Sequence, residues 1–123
     1  MLLAAYGKER KDDSFEAIGI LASRDRGETW RHLASIREPH EMTAPGIARL
    51  RDGTLVVITR SEGALSWSRD SGQTCTTPRN LPARIFDPWL LTLRDGTLLC
   101  VLESYTKSHG GLRALLSKDC GNS

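Results

Sequence analysis

Between residues 45 and 70 the apolar positions fall into short runs separated by turn residues. Residues 45–50 (PGIARL) read as a strand, and Asp52-Gly53 behind them is a two-residue hairpin signal. Residues 55–60 (LVVITR) are apolar and β-branched, the pattern of a central strand. Ser61-Glu62-Gly63 turns the chain again, and residues 64–70 (ALSWSRD) alternate, placing Leu65 and Trp67 on one face. A short outer strand is expected to lead to Pro78. No segment carries a helical stripe. The nearest candidate, residues 10–17 (RKDDSFEA), lacks apolar positions at helical spacing.

The order recurs. LRDGTLVV at 50–57 matches LRDGTLLC at 93–100, with Asp52 and Asp95 43 residues apart. A second motif alternates with the first: SRDRGETW at 23–30, SRDSGQTC at 68–75 and SKDCGNS at 117–123. Its aspartates, Asp25, Asp70 and Asp119, are 45 and 49 residues apart. Ser, Asp and Gly at three fixed positions arise by chance about once in several thousand starts at average composition. Three near-equally spaced copies therefore mark a tandem repeat. Its period suits four strands per unit.

Each box residue has a folding role. Gly27 and Gly72, with Gly121 at the same place in the third copy, supply the positive φ of a tight turn. Asp25 and Asp70 accept bonds from backbone N–H groups, and Ser23, Ser68, Thr29 and Thr74 add side-chain bonds. Ser117 and Asp119 occupy the same places in the third box. Trp30 is expected to lie over its turn and bury a large apolar face. One carboxylate per turn is too few for a calcium site.

Composition narrows the function classes. The chain has 123 residues, 39% hydrophobic and 26% charged, enough for a core and against disorder. A net charge of +2, with 17 basic and 15 acidic residues interspersed, argues against nucleic acid. Cys75, Cys100 and Cys120 lack C-x-x-C spacing, so neither a disulfide framework nor a zinc site is signalled. Cys100 reads as core and the other two as turn residues. No metal and no cofactor are expected. No apolar run reaches the ~20 residues of a membrane span, and Met1-Leu2-Leu3 is not a signal peptide. The compartment stays open.

SRDRGETW resembles the Asp-box, or BNR repeat, of the sialidase (neuraminidase) superfamily, and LRDGTL resembles that family's first-to-second-strand hairpin. The resemblance covers essentially the whole chain. It is specific for fold and weak for activity, since Asp-boxes also occur in non-enzymatic proteins and other glycosidases. It implies an all-β partial β-propeller: about three four-stranded antiparallel blades of a six-bladed ring. The units are 1–38, 39–82 and 83–123. Met1-Leu2-Leu3-Ala4 resembles Thr97-Leu98-Leu99-Cys100, so the first unit is expected to lack its inner strand, and the last stops inside its box. Such an arc exposes faces and strand edges and favours self-association.

In that arrangement the RDGT hairpins and boxes lie at one end. The ligand end collects residues 8–14, 36–46, 60–63, 80–89 and 103–111. The resemblance implies arginines that clamp a sugar carboxylate, an Asp acid/base and a Tyr nucleophile activated by a Glu. Family enzymes place an Arg and then the acid/base Asp about ten residues before the box Ser. Arg10 (substrate-binding) and Asp13 (acid/base) fit, with Asp12 as the alternative acid. The plainer reading of KERKDD is a solvated charged loop. The family's Arg-Ile-Pro motif is not matched: Thr43-Ala44 precede Pro45, Phe86-Asp87 precede Pro88, and Arg84-Ile85 comes two residues early. Tyr105 reads as a rim aromatic and not as the nucleophile, which is expected outside this chain. His40 and His109 read as loop surface and His32 as part of an outer strand.

Three readings follow. The first is a fragment of an exo-acting sialidase cleaving terminal sialic acid from glycans, without turnover of its own. The second is a non-catalytic Asp-box protein binding glycan or protein partners. The third is a hydrolase of another glycan using two carboxylates from Asp13, Asp87 and Glu103.

Overall fold

The structure is a computed structural model, and it describes residues 1–38, 42–60, 63–81, 84–105 and 110–121. Ten strands form in chain order: β1 (Leu2–Gly7), β2 (Ala17–Ala22), β3 (Arg31–Ile36), β4 (Gly46–Arg49), β5 (Leu55–Thr59), β6 (Ala64–Ser68), β7 (Arg79–Asn80), β8 (Phe86–Thr92), β9 (Leu98–Tyr105) and β10 (Gly110–Ser117). They build three antiparallel sheets, ordered β1-β2-β3, β4-β5-β6-β7 and β8-β9-β10. The fold is all-β. No helix among the described residues is long and apolar enough to cross a membrane.

The expected partial β-propeller of three four-stranded blades is corrected by this architecture. The sheets have three, four and three strands, and they close into neither a barrel nor a ring. Even the four-stranded sheet is irregular at its outer edge. The outer strand expected to lead to Pro78 instead follows it, as the two residues of β7. Thr76 meets Trp67 by one backbone bond, Thr76 N–H to Trp67 O at 2.8 Å, and by its own hydroxyl, which accepts Trp67 N–H at 3.0 Å. A side chain thus replaces a ladder bond, and Pro78 has no N–H to continue one.

The RDGT hairpins also differ from the expected two-residue form. Leu50 N–H bonds Thr54 O (2.8 Å) and Gly53 N–H bonds Leu50 O (3.1 Å), which leaves a three-residue loop with Gly53 left-handed at φ 89°. Leu93, Gly96 and Thr97 repeat the arrangement. Asp52 keeps a negative φ and uses its carboxylate to accept Thr54 N–H (2.9 Å). With one left-handed residue available, the loop is a turn plus bulge.

Ladder register corrects the repeat alignment at the N-terminus. Leu2 pairs with Ala22, Val56 with Trp67 and Leu99 with Leu116, and each of those partners immediately precedes a box serine. Leu2 is therefore equivalent to Leu99, not Leu98. A one-residue slip exchanges the two faces of the strand.

Alternation in β5 organises the core, as all five of its residues are buried. Val57 points to the first sheet, where it joins Ile18, Ile20, Ile36 and Met42. Val56 and Ile58 point to the third sheet, with Leu90, Leu98, Cys100 and Leu102. Leu65 and Trp67 share that face, as their alternation predicts. The second sheet is thus sandwiched between the other two. Its strand β4 lies against β8, where Thr92 Oγ1 donates to Arg49 O (2.8 Å).

The boxes are self-bonded turns. Ser23 Oγ donates to Asp25 Oδ1 (2.7 Å) and accepts Gly27 N–H (2.7 Å). Asp25 also accepts Thr29 N–H (2.9 Å) and the Thr29 hydroxyl. In the second box Ser68 Oγ donates to Asp70 (2.8 Å) and accepts Gly72 N–H (2.8 Å). Asp70 accepts both the N–H (2.9 Å) and the hydroxyl (2.6 Å) of Thr74. Ser117, Asp119 and Gly121 repeat the serine bonds at 2.7 and 2.8 Å. Two consecutive left-handed residues close each turn: Arg26 and Gly27, Ser71 and Gly72, Cys120 and Gly121. Trp30 does lie over its turn, bonding Gly27 O (3.1 Å), yet it stays 40% exposed, so its expected burial is only partial. The second and third boxes roof the junctions between sheets. Gly72 sits over Ile20, Leu33 and Leu55, and Gly121 over Leu65, Leu98 and Trp67.

Two outcomes are expected. Gly72→Ala places a methyl 3.0 Å from Ile20 Cγ2 at φ +90°, and should lower unfolding free energy by about 1–3 kcal/mol. Gly7→Ala, with no atom within 4 Å of the added carbon, should cost less than half as much in the same urea titration. The bonds from Thr29 hold the Asp25 carboxyl well below the usual range, and those from Thr74 lower Asp70 to about 2. Their stabilisation is complete above the unfolded carboxyl value of about 3.9 and is lost as pH falls toward 2. Melting temperature should therefore drop across that window, and Asp70→Asn should flatten the drop.

Candidate functional site

At the end opposite the boxes, a strained residue leads into a proline just before β4 and again near the start of β8. Ala44 precedes Pro45 at φ 43°, and Asp87 precedes Pro88 at φ 45°. The two positions are equivalent in the repeat. Non-glycine residues seldom occupy this region, and such strain concentrates at binding sites. A close approach holds both segments in place: a side chain on Gly46 would meet Pro88 O at 2.7 Å. β8 is bulged between Phe86 and Trp89, which re-aims the side chains of that stretch.

An open cleft of ≈ 430 Å³ lies here, lined by Tyr6, Ala44, Pro45, Asp87, Pro88 and Trp89 together with Ala4 and Ala5 of β1. That volume suits a small ligand. Trp89 is 79% exposed and Tyr6 54%. Arg60 follows β5 and is anchored by its N–H to Thr43 O (3.0 Å). Its guanidinium lies 5.3 Å from the centre of the Phe86 ring and 3.6 Å from Asp87 Oδ1. Both partners of that ion pair are substantially exposed, so the pair is worth at most about 1 kcal/mol. A ligand carboxylate can displace Asp87 from Arg60 at little cost.

Apart from Asp87, the predicted substrate-binding arginine and the acid/base candidates lie elsewhere on this end. Arg10, Asp12 and Asp13 occupy the β1–β2 loop. Asp13 Oδ2 accepts Arg10 N–H (2.9 Å), and Asp13 N–H bonds Arg10 O (3.1 Å), so the carboxylate closes its own turn. None of the three lines the cleft. The neighbouring Glu9 is more tightly engaged. The Ser35 hydroxyl and the Arg37 guanidinium both bond it and hold it below the usual carboxylate range. His32 Nε2 lies 2.9 Å from Ser35 Oγ. The carboxylate bonds the serine and not the histidine, so this set does not have the order of a hydrolytic triad.

Larger clefts open at the box end, one lined by Leu50, Asp52, Trp67, Arg69, Thr74 and Cys120 among others. Their carboxylates are already committed: backbone N–H bonds from Thr54 and Thr97 hold Asp52 and Asp95 below the usual range. The chemistry therefore favours the Tyr6–Trp89 cleft. Among the described residues no three His, Cys, Asp or Glu side chains cluster as metal ligands. His40, His109, Asn122 and Ser123 lie outside the described residues, as do the side chain of Tyr105 and the expected turn residues Ser61 and Glu62. Sequence reasoning singled out Asp87, placed Arg60 and Trp89 within the ligand-end segments 60–63 and 80–89 without giving them a role, and missed Tyr6. One signal was available for Trp89: it stands where the preceding repeat has Gly46, a place where packing requires no side chain.

No family model and no curated protein matches the chain. In fold it is similar to the crystal structure of a protein of unknown function from Dyadobacter fermentans DSM 18053, with a TM-score of 0.86 and 20% identity over 98% of this chain. The chain spans 35% of that protein's length. At such identity the likeness shows the fold alone.

The strain at the cleft is directly testable. Ala44→Gly removes a left-handed alanine and should raise stability by up to about 1 kcal/mol, read from the urea midpoint. An unchanged or lower midpoint would mean that position 44 is not strained.

Proposed function

We propose that this chain forms part of a sialidase-type glycoside hydrolase and supplies one wall of its sugar-binding end. The observation that carries the reading is the cleft in which exposed Trp89 and Tyr6 flank Asp87, with Arg60 beside it. An indole face stacks on the apolar C–H face of a sugar ring. An arginine released from a weak surface pair binds a sugar carboxylate through charge-assisted bonds. Asp87 accepts sugar hydroxyls. The three Ser-x-Asp-x-Gly boxes, alike in hydrogen bonding, support the family resemblance from the other end.

Within that reading, Arg10 is a second ligand for the sugar carboxylate, and Asp13, or Asp12 beside it, is the acid/base. Acting as one requires the Asp13 carboxylate to leave the backbone N–H of Arg10. That requirement favours a second reading, binding of sialylated glycan without hydrolysis by the residues present. In either case the 123-residue chain should show no turnover.

The test is titration of the purified chain with sialyllactose, followed by tryptophan fluorescence. Saturable quenching is expected. Trp89→Ala should abolish it, Arg60→Ala should weaken binding about tenfold or more, and lactose, which lacks the carboxylate, should bind far more weakly. Absence of binding, or equal binding of lactose, sinks the proposal. Hydrolysis of a fluorogenic sialoside that disappears in Asp13→Ala would instead place the acid/base within this chain.

A further inference from the structure

Arg60 and Asp87 stand where the repeat changes its charge. Gly46 pairs with Ile58 and Trp89 with Val101, so Arg60 and Glu103, each two residues further on, are equivalent positions. Ala44 is likewise the equivalent of Asp87. Neither repeat therefore carries the ion pair by itself. It forms only between sheets, with the arginine following β5 and the aspartate near the start of β8.

The guanidinium is held by more than its counter-ion. Arg60 N–H donates to Thr43 O (3.0 Å), which fixes the backbone. The Phe86 ring centre lies 5.3 Å from the guanidinium carbon, within the range of a cation–π contact. Asp87 Oδ1 is 3.6 Å from Nη1, beyond a hydrogen bond. The ring thus orients the guanidinium, and the carboxylate balances its charge. Backbone strain does not explain that carboxylate. Ala44 takes the same left-handed conformation without one, at φ 43° against 45°. A ligand carboxylate that approaches Arg60 meets a like charge unless Asp87 gives up its place. A neutral sugar brings no such exchange.

We propose that Asp87 is an internal competitor for the ligand carboxylate on Arg60, and that Phe86 is the positioning residue that presents the guanidinium to either carboxylate. This inference rests on the sialoside reading of the cleft. It adds the group that sets how strongly the cleft prefers an acidic sugar to a neutral one.

Isothermal titration calorimetry with sialyllactose and with lactose is the test, on the wild-type chain, Asp87→Asn and Phe86→Leu. Asparagine tolerates the left-handed conformation as aspartate does and keeps a carbonyl oxygen for sugar hydroxyls, so the first variant changes little besides charge. It should bind sialyllactose about threefold more tightly or better, and lactose no more tightly than the wild type does. Phe86→Leu keeps apolar bulk without the ring. It should weaken sialyllactose binding about two- to fivefold and lactose binding less. Circular dichroism checks folding, and Phe86→Met replaces a leucine variant that is not folded. If the wild type binds sialyllactose and Asp87→Asn binds it no more tightly, the competitor role falls and the sialoside reading stands. If only Asp87→Asn binds, the competitor role stands and the sialoside reading of the native cleft falls. Binding by neither overturns both. Equal weakening of the two sugars by Phe86→Leu overturns the positioning role of Phe86.

Discussion

Burial of β5 on both faces is the constraint on which the rest of this molecule depends. A strand sends successive side chains to opposite sides, so Val57 and its neighbours Val56 and Ile58 serve different cores. Neither core can form without a sheet laid against that side. The β5 backbone is satisfied by β4 and β6, which frees both faces for packing. Stacking three small sheets in chain order is the outcome. Each fully buried Val, Leu or Ile contributes about 1.5–3 kcal/mol, so five consecutive buried positions in β5 outweigh any single surface ion pair in the chain. The exposed pair of Arg60 and Asp87 is in the weaker class and serves position more than stability.

The turns at the two ends accommodate the stack in different ways. At the box end, two consecutive left-handed residues let a glycine descend onto the seam between sheets, as Gly72 does over Ile20 and Leu55. The cost of placing Ser71 or Arg26 there is offset locally by bonds from the box serine, aspartate and threonine. At the opposite end Ala44 and Asp87 are also left-handed, but their constraint is steric. Each is followed by a proline, and the backbones of Gly46 and Pro88 approach too closely for a side chain to lie between them. The first kind of turn is stabilised by its own bonds, and the second is held in shape by its neighbours.

Much of this was legible in the sequence because it is local. The Ser-x-Asp-x-Gly bonds, the central strand at β5 and the shared face of Leu65 and Trp67 all follow from side-chain type and a period of two. Relations between distant segments were harder to read. The alignment of Met1-Leu2-Leu3-Ala4 was off by one because leucines on both faces of β1 and β9 fit either register, and only pairing with Ala22 and Leu116 decides it. The expected ring segment of four-stranded units is replaced by sheets of three, four and three strands, and even at the edge of the four-stranded sheet the Thr76 hydroxyl and the missing N–H of Pro78 interrupt the ladder. The cleft was legible in part: residues 36–46, 60–63 and 80–89 were gathered at one end, which takes in Ala44, Arg60, Asp87 and Trp89, but no spacing in the chain announces which of them meet or that Tyr6 joins them.

Carboxylate placement separates the two ends chemically. Asp25, Asp52, Asp70 and Asp95 each accept backbone N–H groups at the box end, and those bonds favour the charged form. A carboxyl held that low cannot deliver a proton near neutral pH. Nor can it turn toward a ligand without leaving N–H groups of its turn unpaired. The box end is therefore scaffold by its chemistry as well as by its packing. At the other end Asp87 meets Arg60 at the edge of hydrogen-bonding range, with both side chains largely in solvent. Exchanging either partner for a ligand group leaves nothing buried and unsatisfied. The repeat commits its recurring aspartates to turns and leaves a non-recurring Asp87 and Trp89 beside an open cleft, so the carboxylate with freedom to meet another group stands at the end where the repeats differ.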